Sequence, residues 1–217
     1  MLIPEDYTTF TEVDPASHIT VASNRITVAN YTRNEEGYVY KDMGVDYFDG
    51  DFVHYLTIHP TSYVLGAYHY MWMLSNTLDD GFGIRGAGGK YISLSAYWSG
   101  ATGFVLVLEE YNGSPYSDYY SISTGTTYYT KIVRNESVGT YGTIYCYIYS
   151  DQARTNLLDT LALALHEKVD FRYLYGINTY NDAVLGTSFN GYVEDLYLGK
   201  IIPSSGVPSK CLAGGLI

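Results

Sequence analysis

The side chains of this 217-residue chain that could do chemistry are a cluster of aspartates, a few scattered histidines and twenty-six tyrosines. Asp42, Asp46, Asp49 and Asp51 crowd the segment Asp42-Met43-Gly44-Val45-Asp46-Tyr47-Phe48-Asp49-Gly50-Asp51. Oxygen ligands at loop spacing suit Ca²⁺, although the ligand order of an EF-hand is absent; the alternative is a solvated acidic turn. Asp79-Asp80 and the Asn178, Asn181, Asp182 group are weaker forms of the same pattern. Glu109 and Glu110 are adjacent, so on a strand they point to opposite faces and cannot act as a paired acid and nucleophile. His54, His59 and His69 fall in strand-like runs with no His-x-His or Cys-x-x-Cys beside them, which leaves zinc without a ligand pattern. Gly-x-Ser-x-Gly is absent, and no glycine-rich loop opens a helix after a strand.

The tyrosines carry the clearest pattern. In Thr143-Ile144-Tyr145-Cys146-Tyr147-Ile148-Tyr149, strand alternation puts Ile144, Cys146 and Ile148 on one face and Tyr145, Tyr147 and Tyr149 on the other. The first face reads as core. The second is an aromatic surface with hydroxyls, suited to stacking on sugar rings, to a protein partner or to further packing. Trp72 and Trp98 join this stripe as candidate binding residues, although each shares a face with leucine, which favours a core.

The elements that would position these groups are strands. His18–Val21 and Ile26–Val28 read as a hairpin about Ser23-Asn24-Arg25. Tyr38–Lys41 follows, then Phe52–His59, which Pro60 is expected to stop. Tyr68–Leu74 places Tyr68, Tyr70, Trp72 and Leu74 together by simple alternation. Asp79-Asp80-Gly81-Phe82-Gly83 and Gly86-Ala87-Gly88-Gly89 read as loop. Tyr91–Trp98 alternates strictly, and Phe104–Leu108 is apolar on both faces, as in the middle of a sheet covered on both sides. Tyr128–Arg134, Thr143–Tyr149, Phe171–Ile177 and Tyr192–Leu198 complete the set. Asn156–Lys168 fits either a helical stripe or an alternating strand, and the all-β surroundings favour the strand. About a dozen strands imply a two-sheet antiparallel sandwich with less than a tenth helix. The expected organisation is one domain over residues 1–203 and a flexible tail over 204–217.

Composition narrows the partners. Twelve lysines and arginines against twenty-three aspartates and glutamates give a net charge of -11. That argues against nucleic acid and anionic membranes and is compatible with glycans, with Ca²⁺ or with solubility alone. No stretch approaches a membrane span, and Met1-Leu2-Ile3-Pro4-Glu5-Asp6 lacks the form of a signal peptide. Cys146 lies on an apolar strand face and Cys211 in the tail, either as two free thiols or as a pair.

Phe189-Asn190-Gly191-Tyr192-Val193-Glu194-Asp195-Leu196-Tyr197-Leu198 resembles the last strand of laminin-G-like domains within the concanavalin A-like lectin/glucanase superfamily, with the acidic pair exchanged. The parity break between Val193 and Leu196 implies a bulge at that pair. The segments Thr127–Arg134 and Ile144–Asp151 are similar to the central hairpin of those domains. The resemblance implies a jelly-roll sandwich. It does not imply activity, because lectins, adhesion modules and glycosidases share the scaffold. The Glu-x-Asp-x-x-Glu strand of the superfamily's glucanases has no counterpart here; Glu12-Val13-Asp14 lacks the second glutamate. The expectation is therefore a non-catalytic, lectin-like module, extracellular or carried on a virion or cell surface. It would bind a glycan or protein partner through Tyr145, Tyr147, Tyr149, Trp72 and Trp98, with Ca²⁺ at Asp42, Asp46, Asp49 and Asp51. A virion structural protein that self-associates through the sandwich and a glycoside hydrolase or lyase are the alternatives.

Overall fold

The computed structural model describes residues 3–62, 68–99, 103–184 and 188–200. The expected tail over 204–217, with Cys211, lies outside them. Two seven-stranded sheets face each other. The first orders β1 (Thr11–Val13), β4 (Tyr38–Asp42), β13 (Tyr173–Thr179), β6 (Tyr68–Ser75), β7 (Tyr91–Ser99), β8 (Gly103–Tyr111) and β9 (Pro115–Ser121). The second orders β12 (Leu157–Ala164), β11 (Thr143–Tyr149), β10 (Tyr128–Asn135), β5 (Phe52–Ser62), β14 (Ser188–Lys200), β3 (Arg25–Thr32) and β2 (Ile19–Ala22). Every pairing is antiparallel. Among the described residues, helix is confined to a 3₁₀ turn at Tyr7–Thr9 and to α1 (Gly81–Gly86). None is long and apolar enough to cross a membrane.

Alternation builds the core. Ile144, Cys146 and Ile148 of β11, Ile132 of β10, Ile58 of β5 and Val193 of β14 are all buried. They belong to one hydrophobic cluster with Trp72, Leu74, Leu94, Leu106 and Leu108 of the other sheet. Each such aliphatic side chain contributes on the order of 1.5–3 kcal/mol by leaving water. Asn156–Lys168 does form a strand: Leu161 and Leu163 of β12 are buried and Ala162 and Ala164 exposed. The expected bulge at Glu194-Asp195 is present as a register shift between Glu194 and Tyr197 against β5.

Four readings change. Pro60 does not end β5, which runs on to Ser62. Beyond Ile58 β10 no longer pairs with β5, and only β14 does. That one-sided setting tolerates a residue without an N–H. In β6 a bulge between Tyr70 and Trp72 breaks simple alternation. Trp72 joins the core with Met71 and Leu74, while Tyr70 and Met73 turn to the outer face. Asp79–Gly89 is not all loop: Asp80 caps α1, its carboxylate accepting from the N–H groups of Phe82 and Gly83. Finally, β8 is one strand in from the sheet edge rather than central. Strands β1 and β9 are additional to those read from the sequence.

Candidate functional site

The outward face of the first sheet carries the densest aromatic array. Odd positions of β7 and β8 point outward, giving Tyr91, Ser93, Ser95 and Tyr97 beside Val105, Val107, Glu109 and Tyr111. Tyr68 and Tyr70 of β6 and Tyr173 and Tyr175 of β13 extend the row. Tyr38, Tyr70, Tyr91 and Tyr175 are buried and form a second cluster with Met73 and Ile84. Above them stand half-buried rings. Tyr68 stacks on Tyr97 with centroids 4.0 Å apart, and Tyr180 packs 5.8 Å from Tyr68.

Helix α1 and the segment after β13 cover one end of this face. Asp80 joins them, since its carboxylate also accepts from the Asn181 N–H at 3.1 Å. Burial raises the Asp80 carboxyl above its ordinary value, against the three backbone donors that hold it ionised. Gly81 permits the close approach: a Cβ there would stand 2.4 Å from a ring carbon of Tyr70. Phe82 is half exposed and meets Tyr180 edge to face at 5.5 Å.

Arg85, at the end of α1, is the hub. Its Nε and Nη2 donate to the Tyr91 hydroxyl at 2.8 and 2.5 Å, and Nη2 donates to Glu109 Oε1 at 2.7 Å. Tyr91 donates to the same Glu109 oxygen at 2.6 Å, and the Tyr70 and Tyr91 hydroxyls lie 3.1 Å apart. The guanidinium rests 4.6 Å from the ring centre of Tyr111 and 5.0 Å from that of Tyr180. Burial acts to lower the Arg85 pKa, but Tyr91, Tyr70 and Glu109 outweigh it and hold it above the arginine value. Burial also pushes the Tyr70 and Tyr91 phenols well up. The result is an aromatic shelf over a closed Arg–Tyr–Glu network.

The residues singled out from the sequence lie elsewhere. Tyr145, Tyr147 and Tyr149 are half-buried on the outer face of the second sheet, opposite Ile144, Cys146 and Ile148 as expected. Trp72 is fully buried between the sheets, 5.7 Å from the His54 ring, so it cannot meet a ligand. Trp98 is half-buried and packs against the same core. The Ca²⁺ set is not brought together: among the described residues no three His, Cys, Asp or Glu side chains are grouped as a metal site needs. Asp42 is instead engaged by Arg172, at 2.8 and 2.6 Å, which lowers its carboxyl to about 2. Asp51 accepts the Glu136 N–H at 2.7 Å, and Asp46 occupies a left-handed backbone position. Asn178 is buried and donates to the Asp79 carbonyl. Glu109 and Glu110 do face opposite ways: Glu110 takes the His166 N–H and lies 2.8 Å from its Nδ1.

The network of Arg85 escaped the sequence reading. Its one visible signal was the strict alternation of Tyr91, Ser93, Ser95 and Tyr97 against Ile92, Leu94, Ala96 and Trp98.

No known sequence family matches the chain, and no curated protein does. Solved structures do match in fold. The exoplasmic/lumenal domain of VIP36, in a Ca²⁺/Man3GlcNAc-bound form, aligns with a TM-score of 0.57 at 10% identity, over 89% of this chain and 83% of that one. The alginate lyase Aly36B, a mutant in complex with alginate trisaccharide, gives 0.56 at 14% identity, over 90% and 89%. Peanut lectin with a 9-residue peptide gives 0.55 at 11% identity, over 87% and 91%. At these identities the likeness is one of fold: the chain is a jelly-roll sandwich of the kind that lectins and lyases share.

Proposed function

We propose that the protein is a non-catalytic carbohydrate-binding module whose ligand lies on the outward face of the first sheet. The observation that carries this reading is the shelf of half-buried rings, Tyr68, Tyr97, Tyr111 and Tyr180, set around the Arg85 guanidinium. Flat rings with polar edges stack on sugars and hydrogen-bond their hydroxyls, at little entropic cost in a rigid sheet. VIP36 and Aly36B, similar in fold, were each captured with a saccharide, which supports the class of ligand. Mutual satisfaction supports the non-catalytic reading. Arg85, Tyr91, Glu109 and Tyr70 are bound to one another, so none of the four stands free as a general base toward a ligand.

A second reading is a lyase acting on a uronate-containing polymer. The same network favours it: elimination needs a cation on the sugar carboxylate, and phenols beside it to move protons, and Arg85, Tyr91 and Tyr70 have that chemistry. Titration with neutral oligosaccharides and incubation with a uronate polymer separate the two. The module reading expects saturable binding of a neutral oligosaccharide that Tyr68→Ala and Tyr180→Ala each abolish without loss of fold, and no rise in ultraviolet absorbance from unsaturated sugar. A rise that Tyr91→Phe removes would establish the lyase. Neutral-saccharide binding indifferent to both tyrosine variants would sink the site altogether.

A further inference from the structure

The outer face of the second sheet holds two unmatched cations of an acidic protein. Among the lysines and arginines whose side chains are described, Lys131 and Arg154 alone do not lie within 4.0 Å of a carboxylate. Both converge on Tyr55. Lys131 stands opposite Tyr55 of β5 on one side and Tyr147 of β11 on the other, its Nζ 5.4 Å from the Tyr147 ring centre. Arg154, from the turn between β11 and β12, sets its guanidinium 5.2 Å from the Tyr55 ring centre.

Arg154 is held in place by carbonyls alone: Nε donates to Thr130 O at 3.2 Å and Nη1 to Gln152 O at 3.3 Å. Its backbone sits at φ 56°, a left-handed conformation that is strained for a side-chain-bearing residue. Burial lowers its pKa, with Tyr55, Tyr197, Tyr149 and Asp195 acting in the other direction. Asp195, on the β14 bulge, is the acid among these, and it lies beyond ion-pair distance. A guanidinium that has given up water without gaining an anion is a place for one. Tyr55, Gln152, Arg154 and Tyr197 line an open depression of about 330 Å³ there, at the small end of ligand sites. The outer positions of the paired β11, β10 and β5 are Tyr145, Tyr147 and Tyr149, then Tyr129, Lys131 and Val133, then Val53, Tyr55 and Thr57, with no carboxylate.

We propose that this face is a separate site for an anionic saccharide, its carboxylate or sulfate taken by Arg154 and Lys131 and its rings laid on Tyr55, Tyr147 and Tyr197. A planar guanidinium suits a two-oxygen anion, and the tyrosine faces suit the sugar rather than a peptide backbone. A second copy of the chain meeting this face with the same face would bring the same positive sign to the contact. The site is independent of the Arg85 face, which lies on the opposite side of the sandwich.

The test is calorimetric titration of the full chain with oligogalacturonate, its fully methyl-esterified form, chondroitin sulfate oligosaccharide and polyglutamate. The variants are Lys131→Ala with Arg154→Ala, Lys131→Ala alone, Arg154→Lys, and Tyr180→Ala on the other face. The expected result is binding of one or both anionic saccharides, their ratio naming carboxylate or sulfate. The double variant should weaken it at least roughly tenfold, the scale of one charge-assisted hydrogen bond, while Tyr180→Ala leaves it unchanged. Should the double variant unfold, Lys131→Ala and Arg154→Lys carry the same expectation with smaller loss. The proposal is overturned if no anionic saccharide binds, or if the esterified form binds equally. Unchanged affinity in folded variants, displacement of the saccharide by polyglutamate at equal charge, or loss of a dimer in Lys131→Ala overturns it as well.

Discussion

Arg85 Nη2 and Glu109 Oε1 meet at 2.7 Å, one from the end of a six-residue helix and the other from the strand next to the edge of the first sheet. Glu109 is 5% exposed, so the pair closes the floor beneath the aromatic shelf. Removing one partner strands a buried charge, which costs about 3–5 kcal/mol. Arg85→Ala should therefore lower the denaturant midpoint sharply. Replacing Arg85 and Glu109 together by leucine should cost less than the sum of the single changes, which a double-mutant cycle measures.

Tyr147 and Ile148 are neighbours in sequence with opposite fates. Ile148 is fully buried between the sheets and Tyr147 is half-buried outside. Ile148→Ala should cost about 2–5 kcal/mol. Tyr147→Ala should cost little and weaken binding of an anionic saccharide instead. Equal destabilisation by the two would make the outer tyrosines structural.

His54 and His69 give the fold an acid limit. Burial holds each imidazole down to about 3, with Arg33 adding to the effect at His69. The unfolded chain protonates both near pH 6.5, whereas the folded chain does not until about pH 3. Stability is therefore complete above about pH 6.5 and falls as pH drops toward 3, by about 1.4 kcal/mol per pH unit for each histidine. His69 stacks on Phe189 at 4.7 Å, and both its ring nitrogens are without a hydrogen-bond partner among the described residues. His69→Phe should keep the stack and flatten the fall between pH 6 and 4 in urea titrations. An unchanged slope would exclude His69 from it.

Chelation is expected to do nothing to the melting temperature. Asp42 is matched by Arg172 and Asp51 by a backbone N–H, so the acidic segment holds together without an ion. A rise in melting temperature with millimolar calcium, removed by Asp46→Asn or Asp49→Asn, would reinstate a site there.

Much of the sandwich was legible because its signal is local. Ile144, Cys146 and Ile148 declare the inner face of β11 within seven residues, and Val193 to Leu196 declares the bulge of β14 by parity. Trp72 was misplaced because one extra residue in β6 reverses every side chain before it, and the bulge follows from the β7 pairing rather than from composition. The Arg85 network was not legible because its members arrive from β6, α1, β7 and β8. Arg85 sits among glycines that read as loop, and it takes the Asp80 cap, the clearance at Gly81 and the burial of Ile84 to set the helix over Tyr70. The surroundings of the acidic segment were illegible for a similar reason: what engages Asp42 is an arginine 130 residues away.

The position of β14 between β5 and β3, and of β13 between β4 and β6, has a consequence for how the protein is made. Both sheets take an interior strand from the last part of the chain. Until residues 173–200 leave the ribosome, β5 and β3 in one sheet and β4 and β6 in the other present open edges to solvent. Those edges are templates for pairing with other chains. Closing them requires contacts between residues far apart in sequence, the slow kind. Folding should therefore be late and concerted, with nascent chains that stop short of β13 aggregating rather than forming half a sandwich.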